Sequence, residues 1–575
     1  MTRRALLALA AVGMAVLTAC TGVPAASSPQ VVNPVGAAQS SGPPVITPQP
    51  NADPRTMVTD FLTASATDDV RHQAARGFLT SDAAQRWADA TVTVVDSLRV
   101  GNFVDGAVTV TGRPIGSVSA SGIYKPVLQG NGSGGTPNSF SFGMKQVNGQ
   151  WRIDTLQAGV VLAYADFQRV YQQRALYFFD LAERRIVPDP RYTALSDPAR
   201  LAGWLMGQLA AGPRPELQSG VTTELPAQID PSRVTVTLGS PIRVELPGAS
   251  QLDMATRNRL AAQVAVTLQQ VSSGSDITIM DSGRPVSVPQ ARGTVFAVAD
   301  FNAIVNPPSP TPSVFYIRDG AVVDQLGAPL PGALGSGRYD LGAVALSSVG
   351  STDLRVAGTS GAGANVRLLV GTRDSGLRST AVRGRLSRPA WFPGQDEVWV
   401  GDGASVLRVG LDGKAHAVAV TGSTGSLSGQ VTALRFSPEG MRVAMVVKAA
   451  DNIAQVWLGS VVRSPDSSQV RVDNLEAISP QGVGVVDVAW NDSLKLFTIG
   501  RDLATGDPSI YEVQVDGSRW AARGIDNLPI PDSITVAEDQ EAWVSAGGTV
   551  WAQQATGWTS RGRASAFCTN PVYLE

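Results

Sequence analysis

The chain has 575 residues, a length that corresponds to about three or four domains. It carries 46 Lys and Arg against 48 Asp and Glu, and this near balance argues against a nucleic-acid-binding protein, which needs a basic surface. Two Cys and two His argue against a zinc site built from several such residues, an iron–sulfur cluster or a disulfide scaffold. The 59 Gly and 37 Pro favour many turns and therefore a β-rich body.

The amino terminus has the features of an export signal. Arg3 and Arg4 precede an apolar stretch from Ala5 to Leu17, which is too short to cross a bilayer that requires about 20 residues. The small residues before Cys20 resemble the lipobox of bacterial lipoproteins. That resemblance implies removal of residues 1–19, an S-diacylglycerol and an N-acyl group (such as palmitate) on Cys20, and a cell-membrane anchor. The alternative is an ordinary signal peptide with an incidental Cys.

Residues 20–52 are predicted to be a tether. Thr21 to Pro50 contains seven Pro and no charged residue, a composition that favours an extended, mobile segment. We expect it to separate the folded body from the membrane.

Residues 53–160 are predicted to form an α+β domain. Asp53-Pro54 is a typical helix start, and helical patches at 71–78 and 82–90 precede alternating strands from Val92 onward. Helices followed by a curved antiparallel sheet suggest similarity to nuclear-transport-factor-2-like domains. Gly130 to Gly135 has the spacing G-x-G-x-x-G, but it is interpreted as a hairpin loop because no helix follows it.

Residues 161–300 are predicted to form a second, α/β domain. A hairpin at 177–187 precedes a helix that starts at Asp197-Pro198 and ends at Gly212-Pro213, and a second helix covers about 252–270. The segments LMGQLAAGP from Leu205 and LAAQVAVTL from Leu260 resemble the GerMN domain of spore and cell-envelope proteins. The resemblance implies a binding or scaffolding module.

Residues 305–575 are predicted to form a β-propeller of five or six blades. The sequence contains a weak repeat, and in each copy a predicted strand ends near an apolar residue. These residues are Leu346, Trp391, Phe436, Trp490 and Val536, and successive ones are 45, 45, 54 and 46 residues apart. A four-stranded blade needs about 40–50 residues, and ring closure protects the strand edges. The alternative is a two-sheet sandwich.

Several single residues are of a type that could bind a ligand or take part in catalysis, but each is predicted to have a purely structural role. The propeller tryptophans recur at one phase of the repeat, which favours inter-blade core over a sugar-binding surface; they are Trp391, Trp399, Trp490 and Trp543. His72 is predicted to be solvated in a helical segment and His416 to lie on a surface strand. Asp68-Asp69 is interpreted as two solvated helix positions, and Cys568 as a buried thiol in a closing strand.

The sequence contains none of the short motifs that mark nucleotide-binding, serine-hydrolase, zinc-protease or thiol-redox sites. We therefore predict no catalytic residues, no cofactor and no metal, and a protein that is not an enzyme. A propeller hydrolase or lactonase, with a metal or acid cluster in the central channel, is the least favoured hypothesis.

The order of lipobox, tether, α+β domain, GerMN-like domain and propeller resembles the LpqB lipoproteins of actinobacteria across almost the whole chain. The resemblance implies an extracytoplasmic partner, the sensor kinase MtrB of the MtrA–MtrB two-component system. It further implies a role in cell-envelope homeostasis and division. The alternative partner is cell-wall glycan or peptidoglycan.

Overall fold

A computed structural model describes residues 46–69, 71–127, 138–182, 185–227, 229–291, 293–305, 312–348, 353–422, 425–480, 482–561 and 567–574. Cys20, most of the tether and the Gly130–Gly135 segment lie outside the described residues. The described residues from Thr47 onward form one compact unit. Within these residues, every helix is too short or too polar to cross a bilayer.

The first domain begins with helices and continues as a sheet, as predicted. Asp53 caps the first helix, because its carboxylate accepts the N–H groups of Arg55 and Thr56. The helices are α1 (Pro54–Ser65), α2 (Gln73–Arg76) and α3 (Ser81–Arg86). The strands are β1 (Val92–Val104), β2 (Ala107–Val118), β3 (Tyr124–Pro126), β4 (Asn138–Val147), β5 (Gln150–Thr155) and β6 (Val160–Ala163). The sheet order is β5-β4-β2-β1-β6, with β3 paired to β2.

Two local predictions in this domain need correction. The predicted helix over 82–90 ends at Arg86, because Trp87 is extended and its indole N–H donates to the Gly159 carbonyl oxygen at 3.1 Å. The segment 71–78 contains only the four-residue helix α2. Asn148 and Gly149 form the tight turn between β4 and β5, and both residues have positive φ.

The second domain consists of two small sheets and two long helices. Its helices are α4 (Tyr164–Val170), α5 (Pro198–Ala211), α6 (Met254–Leu268) and α7 (Asn302–Val305), with 3-10 turns at Pro231–Arg233, Ala249–Gln251 and Val298–Phe301. Its strands are β7 (Gln172–Asp180), β8 (Ile186–Thr193), β9 (Val221–Thr222), β10 (Thr235–Thr237), β11 (Ile242–Glu245), β12 (Ile277–Asp281) and β13 (Arg284–Pro285). The sheet orders are β8-β7-β9 and β10-β11-β12-β13. Both predicted helices are present, and their apolar faces fill one core.

The remaining described residues form the six blades of a propeller, in five sheets, because the outer strands of blades 3 and 4 pair and join these two blades into one sheet. The strands of blades 1 to 3 are β14 (Val314–Arg318), β15 (Ala321–Asp324), β16 (Leu341–Ser347), β17 (Arg355–Ser360), β18 (Val366–Thr372), β19 (Gly376–Gly384), β20 (Ala390–Trp391), β21 (Glu397–Asp402), β22 (Ser405–Gly410) and β23 (Ala415–Gly422), followed by the short β24 (Gly425–Ser426). Blade 4 contains β25 (Gln430–Phe436), β26 (Arg442–Lys448), β27 (Ala454–Arg463) and β28 (Val470–Ala477). Blades 5 and 6 contain β29 (Val483–Asp492), β30 (Lys495–Asp502), β31 (Pro508–Gln514), β32 (Trp520–Arg523), β33 (Pro531–Thr535), β34 (Trp543–Ala546), β35 (Thr549–Gln554) and β36 (Gly557–Ser560).

Blade 1 closes the ring with strands from both ends of the propeller segment. Its order is β15-β14-β37, where β37 (Cys568–Tyr573) is the last described strand. Val314 pairs with Tyr573 and Arg318 with Cys568. Ring closure by the terminal strand removes the open edges that two separate ends would leave. Cys568 is fully buried in this closing strand, as predicted.

The tryptophans of the repeat are core residues. Trp391, Trp399, Trp490 and Trp543 are all at most 6% exposed. The Trp391 indole N–H donates to the Ala345 carbonyl oxygen of the preceding blade at 3.1 Å. These side chains therefore join neighbouring blades, and they do not form a sugar-binding surface.

Candidate functional site

A cavity of about 550 Å³ separates the first domain from the second, and we call it the interdomain cleft. One wall contains His72 and Asp89 of the first domain, and the other contains Tyr171, Arg200 and residues of helix α5. The two walls are joined directly, since the Tyr192 N–H donates to the Gly122 carbonyl oxygen at 2.7 Å. A cleft at a domain boundary, with both apolar and polar walls, is a typical ligand or partner site.

Helix α5 provides one wall because its sequence has two stripes. Leu201, Leu205 and Leu209 recur every four residues and are buried in the domain core. Arg200, Trp204 and Gln208 recur at the same interval one residue earlier and line the cleft. The spacing of the leucines predicts the buried stripe from the sequence. The second stripe can be recognised as a wall of the cleft only when the position of the first domain is known.

His72 lies in the opposite wall, and the prediction that it is solvated is wrong. It is only 5% exposed, and its Nδ1 atom lies 3.1 Å from Asp89 Oδ2. Arg76 Nη2 lies 2.9 Å from the same carboxylate oxygen. The backbone of His72 adopts the left-handed conformation just before the short helix α2. This conformation turns the imidazole ring inward, where it packs near Trp87.

Asp68 is exposed, as predicted, and Asp69 is half-buried, but the prediction that the two residues lie in a helix is wrong. Helix α1 ends at Ser65, and both residues lie in the following loop. Asp69 accepts the N–H of Gln73, the first residue of helix α2, at 2.6 Å. Asp68 accepts a hydrogen bond from the Ser196 hydroxyl of the second domain. This acidic pair therefore shapes one rim of the interdomain cleft and joins the two domains.

Tyr171 places a phenol between the two walls. Burial, together with the nearby negative charge of Asp89, raises the pKa of Tyr171 to about 12. The hydroxyl therefore stays protonated at neutral pH and can donate a hydrogen bond to a bound group. The sequence gives no signal for this role, because Tyr171 follows helix α4 at a position that resembles an ordinary aromatic core residue.

A second cavity, of about 300 Å³, lies where all three domains meet, and we call it the junction cavity. Glu216 is central to it: Oε1 lies 2.9 Å from Lys125 Nζ and Oε2 lies 2.9 Å from Arg214 Nε. Its backbone oxygen accepts hydrogen bonds from the propeller residues Ser460 (2.6 Å) and Asn474 (3.0 Å). Burial alone would raise the pKa of Glu216, but Arg214 and hydrogen bonds from Arg214 and Lys125 lower it to about 2.

Asp516 of blade 5 also lines the junction cavity, and it is fully enclosed. Burial raises the pKa of its carboxyl, against the opposing effects of hydrogen bonds from Ser518 and the charge of Arg214. Its Oδ1 accepts the Ser518 N–H at 3.0 Å, while Oδ2 has no hydrogen-bond partner within the described part of the chain. The junction therefore contains one strongly stabilised carboxylate, Glu216, and one carboxyl group, Asp516, whose ionised form burial disfavours.

The inner strands of the propeller bring Arg388 and Asp487 together as a buried ion pair. Asp487 Oδ2 also accepts the Ile534 N–H at 2.8 Å, and Arg388 Nη1 lies 3.4 Å from the Asn570 oxygen. This arrangement neutralises Asp487 and ties blades 3, 5, 6 and 1 together. His416 is exposed on strand β23, as predicted.

The fold and the domain junctions describe a three-domain protein with a closed propeller as its largest part. Family models match the chain as "Lipoprotein LpqB, N-terminal domain" over residues 47–168, "Sporulation and spore germination" over 175–287 and "Lipoprotein LpqB beta-propeller domain" over 320–573. Two of these three matches, which cover the first domain and the propeller, name the same family of bacterial lipoproteins.

Whole-chain relatives agree with this assignment. Lipoprotein LpqB of Rhodococcus jostii (strain RHA1) is 30% identical over 573 residues, covering 93% of each chain. Lipoprotein LpqB of Mycolicibacterium smegmatis is 30% identical over 574 residues, covering 94% of this chain and 93% of that protein. The chain therefore belongs to the LpqB lipoprotein family. Among solved structures, TolB from Acinetobacter baumannii aligns with a TM-score of 0.34 and 8% identity over 59% of this chain and 82% of that one.

Proposed function

We propose that this lipoprotein is anchored at the extracytoplasmic face of the cell membrane by acyl chains on Cys20. There it binds the extracytoplasmic domain of a sensor kinase resembling MtrB and modulates two-component signalling, with effects on envelope homeostasis and division. It acts through binding and not through catalysis. Family membership along the whole chain supports this proposal.

The structural observation that carries the proposal is the interdomain cleft. Its walls come from two domains, so a partner that binds there contacts both at once. Arg200, Trp204 and Gln208 present one cation, one aromatic ring and one amide along a single helix face, a combination common in protein interfaces. A lipid anchor confines the protein to the membrane surface, and the raised effective concentration of a membrane partner allows even weak contacts to form.

Site-specific photocrosslinking in intact cells tests the proposed partner. A photoreactive amino acid replaces Arg200 in one strain and Met254, an exposed residue of the same domain outside the cleft, in another. We expect the kinase to be captured from position 200 and not from position 254. Equal capture from both positions, or capture of other proteins only, would reject the cleft as the kinase-binding site.

The anchor is tested separately with Cys20→Ser. Because an acyl chain provides the membrane affinity, the variant should lose incorporation of labelled palmitate and leave the detergent-extracted membrane fraction. Retention and processing like those of the unmodified protein would exclude Cys20 as the anchor.

A second candidate function, binding of cell-wall glycan, is favoured by the aromatic residues of the same cleft. Trp204 and Tyr171 lie near the polar side chains of Arg200 and Gln208, and sugars are bound by such a combination of ring faces and hydrogen-bonding groups. Co-sedimentation with purified peptidoglycan distinguishes the two functions. Gln208→Ala should reduce wall binding if the glycan is the ligand and leave it unchanged if the kinase is the ligand.

A further inference from the structure

Two neighbouring turns of the first domain expose apolar side chains to solvent. Phe103 and Val104 lie at the turn between β1 and β2, and Val147 lies at the turn between β4 and β5; their exposed fractions are 38%, 62% and 41%. Three of the ten large hydrophobic side chains that are exposed in the described part of the chain are therefore in these two turns. Isolated exposed hydrophobics are ordinary, but a cluster requires an explanation.

The two turns lie at the same end of the sheet. The sheet order places β2 and β4 between β1 and β5, yet the rings of Phe103 and Trp151 contact each other edge to face with centroids 5.1 Å apart. The Met144 N–H also donates to the Gly106 carbonyl oxygen at 2.8 Å, which holds the first turn against strand β4, the strand that leads to the second turn. We call this end of the sheet, where Phe103 and Trp151 lie on one face and Val104 and Val147 on the other, the hairpin-tip patch.

The rim of the hairpin-tip patch carries a small excess of positive charge. Lys145 and Arg152 are cross-strand neighbours on β4 and β5, and Asp105 is the acidic residue of the first turn. Trp and Phe beside Lys and Arg are the residues that proteins place at the lipid–water interface, where aromatic rings enter the headgroup region and cations approach anionic lipids.

The chain enters the domain at this same patch. The Asn51 N–H donates to Gln150 Oε1 at 2.7 Å, and the Gln150 side-chain N–H donates to Asn51 Oδ1 at 3.2 Å. Gln150 begins strand β5 and directly precedes Trp151 of the patch. The segment that leads back to Cys20 therefore starts next to the half-buried Trp151 and the exposed apolar residues of the patch.

We propose that the hairpin-tip patch lies on the surface of the membrane to which the protein is anchored, with its apolar residues at the headgroup level of an anionic bilayer. This inference rests on the proposed lipid anchor at Cys20. About 30 residues of Pro-rich chain span some tens of ångströms, which permits this contact as readily as separation from the membrane. The contact orients the first domain towards the lipid.

The test uses the mature, lipidated protein in vesicles of phosphatidylcholine with phosphatidylglycerol. An environment-sensitive fluorophore is attached to Val104→Cys and, as a matched control, to Leu326→Cys, a propeller position that is 87% exposed. Cys568 is buried and does not compete for the label in the folded protein. We expect a blue shift and quenching by doxyl-labelled lipid at position 104, and neither at position 326. Phe103→Ser combined with Val147→Ser should abolish most of the quenching at position 104.

Two outcomes contradict the inference, and they differ in what else they reject. Protein that enters the vesicle fraction but shows the same emission and quenching at positions 104 and 326 would overturn the membrane contact alone. Protein that does not enter the vesicle fraction would overturn the lipid anchor and, with it, this inference. Binding to the kinase is measured separately and is independent of both results.

Discussion

The guanidinium of Arg442, in blade 4, donates through Nη2 to the carbonyl oxygen of Pro188, in strand β8 of the second domain, at 2.5 Å. Its Nη1 donates to Glu439 Oε1 at 3.0 Å, so a propeller ion pair also forms an interdomain contact. Both side chains are at most 7% exposed. Met441, next to Arg442, packs into the core of the second domain. Polar and apolar contacts therefore hold the two domains together at one place.

We predict that Arg442→Ala destabilises the protein by about 3–5 kcal/mol, because removing one partner leaves the buried Glu439 carboxylate without its counter-charge. The Pro188 carbonyl would also lose its donor. The expected result is a lower melting temperature in calorimetry, with unfolding of the second domain separated from that of the propeller.

The matched control is Lys414→Ala, which breaks an ion pair with Asp412 on an exposed turn of blade 3. An exposed pair contributes about 0–1 kcal/mol, so the melting temperature should hardly change. Equal effects of the two substitutions would contradict the interdomain role of Arg442.

Asp516→Asn is predicted to stabilise the protein at pH 7. Burial raises the pKa of the Asp516 carboxyl, so the folded state favours the protonated form. As pH rises above the unfolded value of about 3.9, the unfolded chain loses its proton first, and stability is lost as pH approaches and passes the folded pKa. An Asn side chain does not ionise, so the variant does not lose stability as the pH rises in this way. The Oδ1 atom of the Asn side chain can still accept the Ser518 N–H.

The gain from Asp516→Asn should therefore be largest at neutral pH and vanish near pH 3, which thermal melts across this range measure. Asp412→Asn is the control, because hydrogen bonds from Lys414 lower the pKa of this exposed carboxyl and the substitution should give no gain. A loss of stability by Asp516→Asn at pH 7 would show that the charged carboxylate is favourable in the junction.

The Cys568 thiol reports on closure of the propeller ring. It is buried in β37, and burial raises its pKa, so we expect it to react with an aromatic disulfide reagent only when the closing strand detaches. Tyr573→Ala removes a ring packed beside Trp543 and a 2.6 Å hydrogen bond to the Glu541 carbonyl oxygen. A loss of about 3 kcal/mol would raise the labelling rate about a hundredfold.

Tyr511→Ala, at a half-buried aromatic in blade 5, serves as the comparison. It lies outside the closing blade and should leave the labelling rate close to that of the unmodified protein. Rapid labelling of the unmodified protein, or equal acceleration by both variants, would contradict closure through β37.

The sequence repeat has five copies, and each copy predicts one blade. The remaining blade, blade 1, has no copy of the repeat because its strands come from distant parts of the chain. The end of each inner strand carries a bulky apolar residue, such as Trp391 or Phe436, because this position fills the space between blades. The blade closed by β37 combines strands more than 200 residues apart in the chain, so it interrupts the period. A periodic pattern can reveal only those units whose strands are contiguous.

The candidate site was less predictable, because it depends on contacts between domains. The immediate sequence neighbours of His72 are the polar Arg71 and Gln73, which do not indicate burial, and its partner Asp89 lies 17 residues further along the chain. The pKa of Glu216 is lowered mainly by Arg214, two residues away in the same domain, with Lys125 of the first domain adding to the effect, and the pKa of Asp516 is raised by burial at the domain junction. Local sequence patterns specify which face of a helix is apolar, but they do not specify what the polar face meets.

Binding of the sensor kinase in the interdomain cleft is tested by the affinity of the mature protein for the purified extracytoplasmic domain of that kinase. The affinity is measured for the unmodified protein and for a cleft variant that combines Arg200→Ala with Gln208→Ala. We predict saturable binding and an increase of at least tenfold in Kd, about 1.4 kcal/mol, for the cleft variant, with no change for Met254→Ala. No binding by the unmodified protein, or the same Kd for all three proteins, would contradict this prediction.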